Sequence, residues 1–240
     1  TNLGRLAADS TLWFARDYVA ANDLVAPVDI ALKNGGGIRA TIDGPNITRL
    51  AIASALAFDN KLAIVQMNAA ELIATFENAV SRNPSLDGRF PQTAGIFLEF
   101  DPSQPGMSDQ VSMTTPSRVK TLVVTRQDGS EDVVVESYTA VGDLARMFGL
   151  ATNSFLLTGG DGYRSLEAIN DDASRSVIAP DLGEQRILEG YIVQVLGGAV
   201  DLPEPLENPR IVASEPGTAA ISFFRWAAER FPAGAQNTGL

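Results

Sequence analysis

The chain has no histidine and no cysteine. Without them it lacks the side chains most used to ligate transition metals and the one best suited to general base work near neutral pH. Catalytic triads built on either residue are excluded. Disulfides are excluded as well, which does not identify a compartment. Basic residues are scarce: 18 Lys and Arg stand against 29 Asp and Glu, a net charge of −11. That balance disfavours nucleic acid and anionic membrane as partners, since both reward a basic surface. No run of apolar residues is long enough for a membrane-spanning helix. An initiator Met and a signal peptide are also missing; the sequence opens at Thr1-Asn2-Leu3-Gly4, as a piece cut from something longer would.

What is present is a 240-residue chain with 45% apolar residues. It can bury a substantial core, as one large domain or one and a fraction. Two carboxylate pairs, Asp171-Asp172 and Glu204 with Glu207, lack the dense oxygen spacing of a Ca²⁺ loop, so no metal site is expected.

Two glycine-rich stretches stand out: Lys33-Asn34-Gly35-Gly36-Gly37-Ile38-Arg39, and Phe155 through Tyr163 with Gly159-Gly160-Asp161-Gly162 inside it. Glycine lets the backbone approach a ligand or adopt positive φ. Each run sits beside residues suited to grip something: Arg39 for an anion, Phe155 for a flat ring, Asp161 for hydroxyls. No catalytic group accompanies them. Taken singly, each loop reads as a turn and each phenylalanine as core.

The hydrophobic pattern is mixed. Residues 3–21 have helical spacing with Thr1 or Asn2 as cap. Val28–Leu32 reads as a buried strand, Thr48–Leu56 as a short helix and Leu62–Met67 as a strand. Asn68 with Glu71 is a capping box opening a helix through Val80. Ile96–Phe100, Val119–Val124 and Phe148–Thr152 read as strands sharing one sheet, with a hairpin turn at Asp128-Gly129. Gln185–Leu196 reads as a helix, 201–209 as an extended linker, and 221–231 as a short amphipathic helix carrying Phe223, Phe224, Trp226 and Phe231. Arg89, Phe90 and Gln92 read as the structural lead into the strand at Ile96.

Six pieces in order resemble the C-terminal, substrate-recognition domain of the 5'-nucleotidase family of two-domain metallophosphoesterases. They are Thr1-Asn2-Leu3-Gly4, Asn34 through Arg39, Phe58-Asp59-Asn60, Gly88-Arg89-Phe90, Phe155 through Tyr163, and Arg210-Ile211. The resemblance implies an α+β fold, a layered mixed β-sheet with packed helices, over residues 1–211, followed by a C-terminal extension over 212–240.

The resemblance also implies a nucleotide or nucleoside pocket. Phe58 and Phe155 match the pair of rings that sandwich the base, Asn60 and the Gly88 backbone the groups at the base edge, Asp161 the ribose-hydroxyl acceptor, and Arg39 with Asn34 the phosphate end. Catalysis would belong to an N-terminal metallophosphoesterase domain of the same polypeptide carrying divalent metals such as Zn or Mn. This chain would hold no catalytic residue, metal or cofactor of its own. A periplasmic, secreted or cell-surface setting is implied. Two features depart from the family: Ala57 stands where the family has proline before the ring, and another phosphate-binding arginine matches a position upstream of Thr1, so the phosphate subsite is expected to be incomplete. A binding-only nucleotide module and a structural ectodomain are the alternative readings.

Overall fold

Helix α1 starts where the sequence offers a cap: the Thr1 hydroxyl accepts from the Gly4 amide, and the helix runs Asn2–Ala21. The computed structural model describes residues 1–214 except 23, 25–26, 44–45 and 202–208. In chain order there follow β1 (Ile30–Asn34), a 3-10 turn (Gly35–Gly37), α2 (Arg49–Ala55), β2 (Lys61–Asn68), α3 (Ala69–Val80), β3 (Pro91–Ala94), β4 (Ile96–Phe100), β5 (Val119–Thr125), β6 (Glu131–Glu136) and β7 (Thr139–Ala140). Next come β8 (Met147–Asn153), α4 (Ser154–Leu157), a second 3-10 turn (Gly160–Gly162), α5 (Arg164–Asn170), β9 (Ser176–Gly183), α6 (Glu184–Gln194) and β10 (Ile211–Ala213).

The strands expected to share one sheet divide between two. One is ordered β3-β1-β8-β2-β9 and the other β10-β4-β5-β6-β7. The expected fold class, layered α+β with a mixed sheet, holds in both: β1 and β8 pair in parallel within an otherwise antiparallel first sheet, and β10 joins β4 in parallel in the second. The first sheet is covered on both faces, because alternate residues of a strand point to opposite faces. Ile30 and Leu32 of β1 face the main core, whereas Ala31 faces the cluster under α1 with Leu12 and Ala15.

Helix α3 lies between the sheets and packs on strands of both. Its Leu72, Ile73, Phe76 and Val80 are fully buried among Leu98 and Leu122 of one sheet and Val65 and Leu150 of the other. The capping box at its start is complete: Asn68 accepts from the Glu71 amide at 2.9 Å and Glu71 accepts from the Asn68 amide at 2.8 Å. On the outer face of the first sheet α1 packs against α6, β1 and β3. The β5–β6 hairpin turns at Asp128-Gly129, with Gly129 at φ 84°.

β1 starts and ends two residues later than its apolar run, so Asn34 closes the strand instead of opening the loop. The expected linker falls mainly on residues outside the described ones, and the expected helix at 221–231 wholly so.

Candidate functional site

β1 and β8 run side by side in the same direction and both end in asparagine, Asn34 and Asn153. Their glycine-rich continuations therefore leave the sheet from one end, where ligands of open sheets with parallel strands commonly bind. After β1, the Gly36 amide donates to the Gly88 carbonyl at 2.8 Å, and the Gly35 amide to the Phe90 carbonyl at 2.8 Å. This backbone crossing needs glycine: a Cβ on Gly36 would lie 2.9 Å from the Gly88 Cα.

After β8, Asn153 caps α4 by accepting from the Leu156 amide at 2.9 Å. Phe155, in the first turn, turns outward and is 42% exposed. Asp161 sits at φ 55°, a left-handed conformation that costs a non-glycine residue energy unless its surroundings hold it. They do: Asn78 donates to the Asp161 carbonyl at 3.2 Å, and Asn34 Nδ2 donates to Asp161 Oδ2 at 2.7 Å.

One cavity of about 300 Å³ takes in every site residue expected from the sequence: Asn34, Arg39, Phe58, Asn60, Gly88, Phe155 and Asp161 line it, with Gly36 and Gly37. Phe58, on the loop between α2 and β2, is 49% exposed, so both rings are available to a ligand. Arg39 is exposed; it donates to the Gly36 carbonyl at 3.2 Å, and its guanidinium carbon lies 5.9 Å from the Phe58 ring centroid. Asp161 Oδ1 and Oδ2 lie close to Gly88, at 3.5 and 3.4 Å from where a Cβ would stand. The arrangement supplies two aromatic faces, a carboxylate and a cation around one volume. Another cavity, of about 330 Å³ among Thr1, Phe90, Gln92 and Arg210, takes in none of these residues.

Arg89 is structural, as read from the sequence. It donates to Asp87, Asn78 and Ser81. Among the described residues no group of three or more acidic side chains gathers that could hold a metal ion.

Sequence reading missed the layer behind the cavity. Glu184, at the start of α6, is 5% exposed, and one of its oxygens accepts from Asn153 Nδ2 at 3.1 Å. The other accepts from Asn60 Nδ2 at 3.5 Å, and Lys33 makes a buried ion pair with the carboxylate. Asn153 Nδ2 also donates to Asn34 Oδ1 at 3.3 Å. Burial pushes the Lys33 ammonium down to about 7. The available signal was Lys33 itself, a charge placed within a buried strand, which calls for a counter-charge.

The sequence profile described as 5'-nucleotidase, C-terminal domain, matches residues 1–168. The trifunctional nucleotide phosphoesterase protein YfkN of Bacillus subtilis is 30% identical over 164 residues, covering 68% of this chain and 10% of that protein. The snake venom 5'-nucleotidase of Macrovipera lebetinus is 30% identical over 173 residues, covering 69% of this chain and 38% of the relative. Among solved structures, the 5'-nucleotidase precursor from Thermus thermophilus aligns at TM-score 0.68 and 29% identity over 90% of this chain and 36% of that one. The chain thus spans well under half the length of each. With the match covering most of its length, this chain belongs to the 5'-nucleotidase C-terminal domain family.

Proposed function

We propose that this domain recognises the nucleoside part of a nucleotide for a 5'-nucleotidase-type phosphohydrolase. Phe58 and Phe155 clamp the base, Asn60 and the Gly88 backbone meet its edge, Asp161 accepts from the ribose hydroxyls, and Arg39 with Asn34 faces the phosphate. The observation that carries this reading is the convergence of all seven side chains or backbones, from separate stretches of sequence, on one cavity. Aromatic faces bind any base through its π surface, at about 1 to 3 kcal/mol per stack. A carboxylate accepting hydroxyl hydrogen bonds and a guanidinium donating to phosphate add orientation.

Cleavage belongs, in this reading, to an N-terminal metallophosphoesterase domain of the same polypeptide, whose Zn or Mn would polarise the ester and activate water. This chain's part, in the same reading, is to bind the nucleoside and present the phosphate ester; among the described residues no group of three or more acidic side chains gathers that could hold a metal ion. A periplasmic, secreted or cell-surface setting accompanies the proposal, in keeping with the venom relative; among the described residues no helix is long and apolar enough to cross a membrane.

Titration calorimetry of the 240-residue chain with adenosine and AMP tests the reading. Both bind, and Phe58→Ala or Phe155→Ala each weakens adenosine binding about ten-fold, in line with one lost stack. The chain alone releases no phosphate from AMP with Zn²⁺, Mn²⁺ or Mg²⁺. Absence of binding to the wild-type chain would reject the proposal.

A further inference from the structure

An amide side chain offers a donor at one end and an acceptor at the other, and nothing intrinsic decides which end faces a ligand. A carboxylate is acceptor-only, so an amide beside it must turn its NH₂ inward. Glu184 stands in that relation to two amides at once. Its Oε1 accepts from Asn153 Nδ2, and its Oε2 accepts from Asn60 Nδ2. Asn153 is fixed twice, because its Oδ1 already accepts from the Leu156 amide. Having turned its NH₂ toward Glu184, it also donates to Asn34 Oδ1, which leaves Asn34 Nδ2 to donate to Asp161 Oδ2. The Asn60 side chain has no such second hydrogen bond among the described residues; its Nδ2 lies 3.5 Å from Glu184 Oε2, and the residue lines the cavity, so with Nδ2 on the carboxylate Oδ1 is the atom left for a ligand.

We propose that Glu184 is a positioning residue that sets the hydrogen-bond polarity of the cavity, so that Asn60 presents an oxygen and the pocket selects a base that brings an N–H to it. This rests on the nucleoside reading above. The expected polarity is the same at Asp161, which gives Oδ2 to Asn34 and keeps Oδ1 for a second donor, a hydroxyl. On this view the side chains at Asn60 and Asp161 accept, and the ligand donates.

The Glu184→Gln variant gives a directional test. Lys33 and Asn153 both donate to the Oε1 side, so the glutamine keeps its oxygen there and places its NH₂ where Oε2 was, facing Asn60. Asn60 then turns over, with Oδ1 toward residue 184 and Nδ2 toward the cavity. Adenine and hypoxanthine have opposite donor and acceptor character at both position 1 and position 6, so the adenosine-to-inosine affinity ratio reads the direction of Asn60 at either position. The wild-type chain should discriminate between the two nucleosides by about five-fold or more, as one well-made hydrogen bond allows. Glu184→Gln should shift the ratio at least as far the other way. Asn60→Leu should bring the ratio near one, and adding Glu184→Gln to that background should change nothing further, as a double-mutant cycle requires of coupled residues.

Removing one charge of a buried pair can cost the fold, so the same ratio is also measured in Lys33→Met with Glu184→Gln, which removes both. An unchanged ratio in a folded Glu184 variant overturns the assignment of Glu184 while leaving nucleoside binding intact. Failure of the wild-type chain to bind either nucleoside overturns the underlying reading instead.

Discussion

The outer edge of the Phe155 ring rests against Gly160: a methyl group there would lie 2.5 Å from both Cε1 and Cζ and 2.6 Å from Cε2. The glycine loop therefore does more than turn the chain toward Asp161; it leaves room for the ring in its place on the cavity wall. Gly160→Ala should displace the ring and weaken adenosine binding by about as much as Phe155→Ala, since both lose one stack of roughly 1 to 3 kcal/mol. Calorimetry on the two single variants and their combination checks this. Additive losses would mean that Gly160 acts through the backbone alone.

On the proposed reading, Arg39 should separate phosphate recognition from nucleoside recognition. It is exposed and reaches both the Gly36 carbonyl and the Phe58 ring, so it has freedom to swing to an anion. Arg39→Ala should weaken AMP binding by about 1 to 3 kcal/mol, the range for a charge-assisted hydrogen bond, and leave adenosine nearly unaffected. Equal losses for both ligands would identify it as a support for the loop and the ring.

A buried carboxylate that does not line the cavity should carry part of the stability. Glu77, fully buried on α3, accepts from the backbone amides of Ser117 at 2.6 Å, Arg118 at 3.1 Å and Val119 at 2.8 Å, fixing the entry to β5. Burial pushes its carboxyl up and those three amides pull it down. Glu77→Ala should destabilise the fold by about 3 kcal/mol or more, because buried donors lose their acceptor. Urea unfolding at neutral pH measures it, and Glu77→Gln, which keeps acceptor oxygen, should fall between the two.

Asp101 predicts an acid response. The Ser103 hydroxyl at 2.6 Å, the Ser103 amide at 2.8 Å and the Tyr138 hydroxyl at 2.9 Å all donate to its carboxylate and hold it down to about 2, from an ordinary 3.8. A depressed carboxyl contributes stability above its unfolded value that is lost as pH falls toward the folded one, here between 3.8 and about 2. Side-chain carboxyl NMR should find Asp101 still ionised at pH 3, and Ser103→Ala should raise its midpoint. A midpoint near the ordinary value in the wild-type chain would contradict the geometry.

The parts of the fold written in local sequence were legible. Thr1 and Asn68 announce their helices because a cap is satisfied within three residues. Asp128-Gly129 announces its hairpin because the turn needs a residue that tolerates positive φ. Sheet membership is not local. Ile96–Phe100 and Met147–Asn153 look alike as apolar runs, yet α3 passes between them and assigns them to different sheets. Pro91–Ala94 was unreadable as a strand because proline at its start is a breaker signal, although the first position of an edge strand tolerates it. The cavity residues were legible through family resemblance and glycine spacing. Glu184 was not, since nothing in its neighbourhood says that it meets Lys33, Asn60 and Asn153.

The two strands that aim the cavity, β1 and β8, are neighbours in space but far apart in sequence; Asn34 and Asp161, which touch, are separated by 127 positions. Closing so long a loop is entropically unfavourable until the centre of the first sheet has formed, so no short peptide from either glycine loop can reproduce the pocket. The cavity is consequently a property of the native state alone. Any occupant that binds it draws the folding equilibrium with it, by about 2.7 kcal/mol at a hundred times its dissociation constant. A rise in melting temperature across a panel of small molecules would therefore register an occupant before its chemistry is known.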